Sequence, residues 1–280
     1  GSIFTETTIS NGNSHFCTIL DDSSLNCWGD NSQGQLGDGT NIDRQTMTPV
    51  NFGVGRTAVS IASGDSHTCA ILDDASLKCW GDNTHGKLGI GSTEDSNLPV
   101  NVDLGSDVPI TISAGSQHTC VVLVTANMKC WGSNSHGQLG DGTTNSAYSP
   151  LSVNLGPDLV LAISTGGSHT CAIINSPSLK CWGDNSYGQL GDSSNIDRYT
   201  PTSITLGGTP VAISTGNSHT CSIMSDTTLS CWGDNSQGQL GDGSNDNSNS
   251  PIPNIITGVT SVSLGNSHSC ALDATNSLNC

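Results

Sequence analysis

Cysteine and histidine are the residue types here that could bind a metal or carry redox chemistry, and both recur at fixed spacing. The 280-residue chain has 12 cysteines in six pairs, each with nine residues between its members. A histidine precedes the first cysteine of each pair by two residues. The cysteine pairs are Cys17 with Cys27, Cys69 with Cys79, Cys120 with Cys130, Cys171 with Cys181, Cys221 with Cys231, and Cys270 with Cys280, and the histidines are His15, His67, His118, His169, His219 and His268.

Two interpretations of this pattern compete. Zinc sites usually place their cysteines two to four residues apart, which the wider spacing here does not match. We therefore interpret each histidine as a hydrogen-bonding residue at the start of a strand. A His/Cys metal set in each unit stays open as the alternative.

A β-hairpin accounts for the cysteine spacing. If the chain turns at Asp22, Cys17 lies opposite Cys27 and Ile19 lies opposite Leu25, and all four side chains share one face. Opposed positions without hydrogen bonds bring Cα atoms to about 4.5 Å, at the short end of the range that a disulfide bridges. The sequence therefore predicts six disulfides, one in each hairpin. Each would contribute roughly 3 kcal/mol, and paired cysteines indicate an oxidising compartment.

The elements that position these cysteines belong to a repeat of 49–52 residues. Apolar residues alternate with period two, as at Val59 and Ile61, and short runs end at Gly, Asn, Asp or Ser. Three or four short strands per unit predict an all-β chain of small antiparallel sheets arranged radially. We expect one domain over residues 1–280, with repeats at 3–51, 52–102, 103–153, 154–204, 205–254 and a partial one at 255–280.

Composition excludes several classes of partner. The formal net charge is −17, so a phosphate backbone or an anionic membrane surface would be repelled. We find no catalytic signature and expect neither enzymatic activity nor a cofactor. Oxygen ligands for Ca²⁺ could come from Asp30, Asp38 and Asp43, but recurrent aspartate is also typical of turns.

Positions whose residue changes between copies of an otherwise constant repeat are candidate contact residues. The residue before glycine in the recurring Asn-x-x-Gly loop differs between copies, and loops on a rigid scaffold commonly carry recognition. We therefore predict a binding rim, with ordinary solvated loop residues as the alternative. The rim residues are Gln33, His85, His136, Tyr187 and Gln237.

The long motif at Cys27–Gly39 reads Cys-Trp-Gly-Asp-Asn-Ser-Gln-Gly-Gln-Leu-Gly-Asp-Gly, and it returns at Cys231–Gly243. It resembles the regulator of chromosome condensation repeat, in the Cys-Trp-Gly version typical of predicted bacterial surface proteins. The resemblance covers almost the whole chain and implies a β-propeller, usually of seven blades. We expect six disulfide-linked blades here, the last incomplete because the repeat stops at Cys280, before its tryptophan loop.

The resemblance does not imply one function, because the family includes a nuclear exchange factor, ubiquitin-ligase regulators, a plant ultraviolet sensor and a secreted β-lactamase inhibitor. A basic tail for chromatin is missing here, which disfavours the nuclear role. We expect a secreted or cell-surface bacterial adhesion module that binds a protein or glycan through one propeller face, without membrane insertion. The alternatives are a secreted enzyme inhibitor, and a filament subunit that self-associates through an open terminal blade.

Overall fold

Short strands separated by Gly, Asn, Asp and Ser turns fold into small antiparallel sheets that follow chain order. The computed structural model describes residues 9–280, so positions 3–8 of the first predicted repeat lie outside the described residues. Over this described part of the chain, the sole helical element is one 3-10 turn. No helix within residues 9–280 is long and apolar enough to cross a bilayer.

Among the described residues, the first compact unit comprises residues 9–133 and Asn145–Val153, and it holds three four-stranded sheets. In each sheet, neighbouring strands in the chain are neighbours in space. The strands are β1 (Ile9–Asn11), β2 (His15–Ile19), β3 (Leu25–Gly29) and β4 (Arg44–Pro49); β5 (Ala58–Ser63), β6 (His67–Leu72), β7 (Leu77–Gly81) and β8 (Ser96–Asn101), with the 3-10 turn Thr84–Gly86 before β8; and β9 (Pro109–Ala114), β10 (His118–Leu123), β11 (Met128–Gly132) and β12 (Ala147–Ser152).

The second compact unit comprises Asn134–Thr144 and Asn154–Cys280, with two four-stranded sheets and one three-stranded sheet. Its strands follow the same meander order. They are β13 (Val160–Thr165), β14 (His169–Ile174), β15 (Ser178–Gly183) and β16 (Arg198–Ile204); β17 (Pro210–Thr215), β18 (His219–Met224), β19 (Leu229–Gly233) and β20 (Ser248–Ile252); and β21 (Val259–Leu264), β22 (Ser269–Asp273) and β23 (Leu278–Asn279).

Each sheet is the expected blade of one repeat, and its second and third strands form the expected hairpin. Cys17 pairs with Cys27 and Ile19 with Leu25, in the predicted register. The single domain expected over residues 1–280 stays a prediction.

The six predicted disulfides are all present among the described residues, each within one hairpin and with Cα separations of 4.0–4.2 Å. They join Cys17 to Cys27, Cys69 to Cys79, Cys120 to Cys130, Cys171 to Cys181, Cys221 to Cys231, and Cys270 to Cys280. The alternative of a His/Cys metal set is wrong, because no cysteine of residues 9–280 is free.

The core lies around the second strand of each blade. Every residue of β6, β10, β14 and β18 is buried. The fourth strands β4 and β8 are mostly half-buried or exposed, as is typical of the outer strand of a blade. Apolar burial thus concentrates near the disulfides, while the loops that connect third and fourth strands reach solvent.

Candidate functional site

A hydrogen-bonded seam joins successive repeats. His67 Nε2 lies 2.9 Å from Thr119 Oγ1. Thr119 Oγ1 donates to the Lys87 carbonyl at 3.0 Å, and Trp131 Nε1 donates to the same carbonyl at 2.9 Å. Because Thr119 uses its hydroxyl hydrogen on that carbonyl, His67 is the donor in the first bond. The histidine therefore has the structural hydrogen-bonding role that was predicted for it, and the tryptophan shares that role between blades.

The same seam recurs with other members of the repeat, and it keeps the histidines neutral. Burial lowers the pKa of His15, His169 and His219 to about 4, because desolvation disfavours the imidazolium. At neutral pH these rings donate hydrogen bonds and carry no charge. The further sets are His15, Thr68, Gln35 and Trp80, and His169, Thr220, Gln189 and Trp232.

A buried asparagine fixes each loop between the third and fourth strands. Asn185 Oδ1 accepts a hydrogen bond from Leu190 N at 3.0 Å. Asn185 Nδ2 donates to Asp192 Oδ1 at 3.0 Å and to the Ile196 carbonyl at 3.2 Å. The loops therefore keep their shape through their own polar side chains. The equivalent asparagines are Asn31, Asn83, Asn134 and Asn235.

A glycine in each of four loops is covered by a residue from the next repeat. Gly137 has φ +78°, and a Cβ there would lie 2.6 Å from Tyr199 Cα. Gly142 N also donates to the Tyr199 carbonyl at 2.8 Å. Any side chain at Gly137 would therefore push this loop away from β16. The equivalent pairs are Gly34 with Asn97, Gly86 with Tyr148, and Gly188 with Asn249.

These contacts gather exposed side chains on one surface of the second unit. Tyr187 and Tyr199 are each 46% exposed, and Ile196 is 63% exposed. Asn195 Nδ2 donates to the Ser186 carbonyl of its own loop at 3.2 Å, and Asn195 Oδ1 accepts from Asn249 Nδ2 in β20 at 3.1 Å, so Asn195 joins its loop to the next repeat. We name this the second loop surface, made of His136, Tyr187, Ile196, Tyr199 and Asn249.

The first unit carries a corresponding first loop surface. Its members are less aromatic, with one tyrosine at 48% exposure. Asn97 Nδ2 in β8 donates to Asn41 Oδ1 at 2.9 Å and thereby joins β8 to the loop before β4, as the Asn249 contact joins β20 to a loop in the second unit. The members are Gln33, Ile42, His85, Leu98 and Tyr148.

The predicted rim residues lie at the tips of these loops. Gln33, His85, Tyr187 and Gln237 are exposed. His136 is half-buried, since its Nδ1 lies 2.9 Å from Asp197 Oδ2. Their role in binding stays a prediction.

Sequence reasoning missed Tyr148 and Tyr199, which contribute about as much exposed aromatic surface as Tyr187 does. The sequence does contain a pattern that marks these two tyrosines. Each lies two residues before a proline that recurs in the fourth strand, and this position varies between copies as the rim position does. The residues at this position are Met47, Asn97, Tyr148, Tyr199 and Asn249.

The aspartates considered for Ca²⁺ have protein partners. Asp38 bonds Arg44, with 2.6 Å between Arg44 Nε and Asp38 Oδ2. Asp43 Oδ1 accepts a hydrogen bond from Asn31 N at 2.9 Å, and Asp30 Oδ1 accepts one from Ser32 N at 3.0 Å. These bonds give the aspartates the turn role that the sequence also indicated.

An apolar cavity of about 430 Å³ lies in the second unit, lined in part by Leu229, Gly241, Ile255 and Ala271. In four other copies of the repeat, a tryptophan indole packs against the glycine that corresponds to Gly241. The cavity therefore belongs to the packing between blades.

Comparisons with known proteins agree with this architecture. The family model described as an RCC1-like domain matches residues 3–280. The Ultraviolet-B receptor UVR8 of Arabidopsis thaliana is 32% identical over 200 residues, which cover 70% of this chain and 46% of UVR8. The chain thus spans less than half the length of this relative.

Solved structures show the same fold at low sequence identity. Yeast RCC1 (Prp20), solved bound to Kap60, matches with a TM-score of 0.85 and 20% identity, over 96% of this chain and 68% of that one. The ectodomain of the Physcomitrella patens receptor kinase CR4 matches with a TM-score of 0.62 and 20% identity, over 97% of this chain and 59% of that one.

The fold is therefore a β-propeller built from six blades within the described residues, as predicted. A propeller of this kind suggests a protein-binding module, since RCC1-like propellers are mostly binding or regulatory. The six disulfides are consistent with an oxidising, extracellular compartment. Because the family model matches the chain from residue 3 to residue 280, this protein belongs to the RCC1-like domain family.

Proposed function

We propose that the protein is an extracellular binding module that recognises a partner protein through its second loop surface. The observation that carries the proposal is the exposure of Tyr187 and Ile196, on a loop that internal hydrogen bonds hold in place, and of Tyr199 near the start of β16. Tyrosine is enriched among residues that dominate binding energy, and it loses little conformational entropy when it binds.

Rigid support makes this surface suited to recognition. Tyr187 N donates to Gln189 Oε1 at 2.9 Å, and Tyr199 packs over Gly137. Both tyrosine backbones are therefore fixed before a partner arrives. Preorganisation of this kind reduces the entropy cost of association.

Charge favours a basic partner. The chain has 24 acidic and 7 basic residues, and the half-buried Asp184 and Asp197 lie in the loop between β15 and β16 beside the tyrosines. A positively charged partner surface would be steered towards this face, and its association rate would fall as salt rises.

The disulfides support a location outside the cytoplasm, because thiols are kept reduced in that compartment. Adhesion to a cell surface is the form of extracellular binding that we propose. A bacterial source stays a prediction.

The test is affinity capture from surface-biotinylated cells and from secreted proteins, with the purified chain immobilised. We compare the wild-type chain with Tyr187→Ala, and with Val54→Ala as the control. Val54 is fully exposed in the first unit, in the turn between β4 and β5. The proposal predicts that Tyr187→Ala reduces the yield of a specific partner at least tenfold, while Val54→Ala leaves it unchanged.

Equal yields from both variants would contradict the proposal. A glycan array probed with the same three proteins distinguishes the ligand class. If the wild-type chain binds a glycan and Tyr187→Ala does not, the second loop surface remains the proposed binding site. Its ligand would then be a carbohydrate and not a protein.

A further inference from the structure

We infer that His136, Asp184 and Asp197 form a binding site for a divalent transition-metal ion, with Zn²⁺ as the ion that fits the donor set. His136 lies in the loop after β11, and the two aspartates lie in the loop between β15 and β16. One ligand atom from each residue lies within 4.8 Å of the others. Imidazole nitrogen with two carboxylate oxygens is a donor set that suits zinc and disfavours Ca²⁺, which takes six to eight oxygens.

The spacing of the ligand atoms fits a tetrahedral ion. Zinc bonds to nitrogen and oxygen of about 2.1 Å place neighbouring ligand atoms roughly 3.4 Å apart. His136 Nδ1 lies 2.9 Å from Asp197 Oδ2 and 3.9 Å from Asp184 Oδ1. These two distances bracket the ideal value, and the two carboxylate oxygens lie within 4.8 Å of each other, so the three ligand atoms are close enough to share one ion after side-chain rotation.

The carboxylates are oriented by bonds from their own loop. Asp197 Oδ1 accepts a hydrogen bond from Asn185 N at 2.9 Å, which leaves Oδ2 directed at His136. Asp184 Oδ2 accepts from Gln189 Nε2 at 2.9 Å, and its Oδ1 accepts from Ser186 N and Oγ. Hydrogen bonds to ligating carboxylates are the usual support of a metal site.

Charge also favours a cation here. In the second repeat, the aspartate equivalent to Asp184 is Asp82, and the buried Lys87 ammonium neutralises it at 2.5 Å. Gln189 takes the place of that lysine beside Asp184, and it carries no charge. Over the described residues, His136 is the one ion-pair partner within 4.0 Å of Asp184 or Asp197. Two carboxylates therefore share a single weakly basic partner.

The combination occurs once among the repeats. At the positions of Asp184 and Asp197, the third and fifth repeats have Ser133 with Ser146 and Asp234 with Asn247. The first and second repeats keep both aspartates, as Asp30 with Asp43 and Asp82 with Asp95, but no histidine lies at the rim position before the second repeat's pair. At the position of His136, other repeats have Gln33, His85, Tyr187 and Gln237. The aspartate pair thus recurs in three repeats, and His136 is the residue that distinguishes this cluster. The other repeats also show which substitutions the fold accepts at each position.

The test is calorimetric titration of the EDTA-treated 280-residue chain with ZnCl₂, together with the visible absorption of the Co²⁺-loaded protein. His136→Gln copies Gln33, Asp197→Asn copies Asn247, and His85→Gln is the matched control at the same loop position. We expect one Zn²⁺ per chain, binding at least tenfold weaker in His136→Gln and Asp197→Asn, and unchanged binding in His85→Gln.

Zinc should also raise the unfolding temperature of the wild-type chain, because the ion would join two loops, and it should not do so in His136→Gln. Three results would overturn the site: no stoichiometric binding, an equal loss of affinity in His85→Gln, or Ca²⁺ binding that His136→Gln leaves intact. The outcome is independent of the proposed partner protein, since no partner enters the titration.

Discussion

At the scale of single residues, the tryptophan of the motif makes different contacts in different repeats. The Trp182 indole is buried, donates to the Gln138 carbonyl at 3.0 Å and packs against Gly140, where a Cβ would lie 2.7 Å from Nε1. Trp28 is half-buried and stacks on Phe16, with ring centroids 5.7 Å apart. The tryptophan at this motif position therefore stabilises the fold to a different extent in each of the two repeats.

We predict that Trp182→Phe lowers the free energy of unfolding by about 2 kcal/mol, because it removes a buried hydrogen bond and leaves unfilled space. Trp28→Phe should cost about 0.5 kcal/mol, since a stacked, half-buried ring remains. Urea unfolding followed by far-UV circular dichroism measures both. Equal losses in the two variants would show that the seam hydrogen bond contributes nothing.

At the scale of elements, the hairpin of the second and third strands is the unit that the sequence specifies best. The cysteine spacing alone sets the register of Cys171 opposite Cys181, and the neighbours Ile173 and Leu179 pair as that register requires. Both cysteines are fully buried, so the crosslink lies in the core of its blade.

We predict that the double variant Cys171→Ala with Cys181→Ala loses roughly 3 kcal/mol of unfolding free energy, the value for closing a short loop in the unfolded chain. Chemical denaturation measures the loss, and mass spectrometry after alkylation checks that the other five disulfides remain. An unchanged unfolding midpoint would mean that packing, and not the crosslink, holds this hairpin.

The sequence allowed prediction of the blades, the disulfides and the exposure of Tyr187, because each depends on spacing within one repeat. Contacts between repeats were harder to predict. Tyr199 over Gly137 and Asp197 beside His136 join residues about 60 positions apart, and they depend on how two loops are placed. Only the position two residues before the recurring proline signalled Tyr199, and nothing in the spacing of His136 signalled its aspartates.

At the scale of the whole molecule, a fall in pH lowers the stability of several repeats at once, because each contains a buried histidine. Burial holds the pKa of His15, His169 and His219 at about 4 in the folded chain, below the ordinary value of 6.5. Their unfolded forms bind protons first as pH falls. The stability associated with neutral histidine is therefore complete above pH 6.5 and is lost between pH 6.5 and pH 4.

We predict that the free energy of unfolding falls across this window by up to about 1.4 kcal/mol per pH unit for each such histidine. Urea unfolding at pH 7.5, 6.0 and 5.0 measures the slope. His169→Gln keeps an N–H donor near Thr220 without a titrating ring, so its slope should be smaller than that of the wild-type chain. An identical slope would exclude His169 as a source of acid sensitivity.

The seam of histidine, threonine and tryptophan has a direction. At three boundaries within the two units, the histidine comes from the earlier repeat, and the tryptophan of the later repeat donates to a loop carbonyl of the earlier one. Identical donors and acceptors at each such boundary make the repeats interchangeable as modules. Gene duplication or recombination can thus exchange one blade for another and bring a new loop tip with it, without designing a new interface. The loop surfaces can therefore change through the exchange of whole repeats, while the hydrogen bonds between neighbouring blades stay the same.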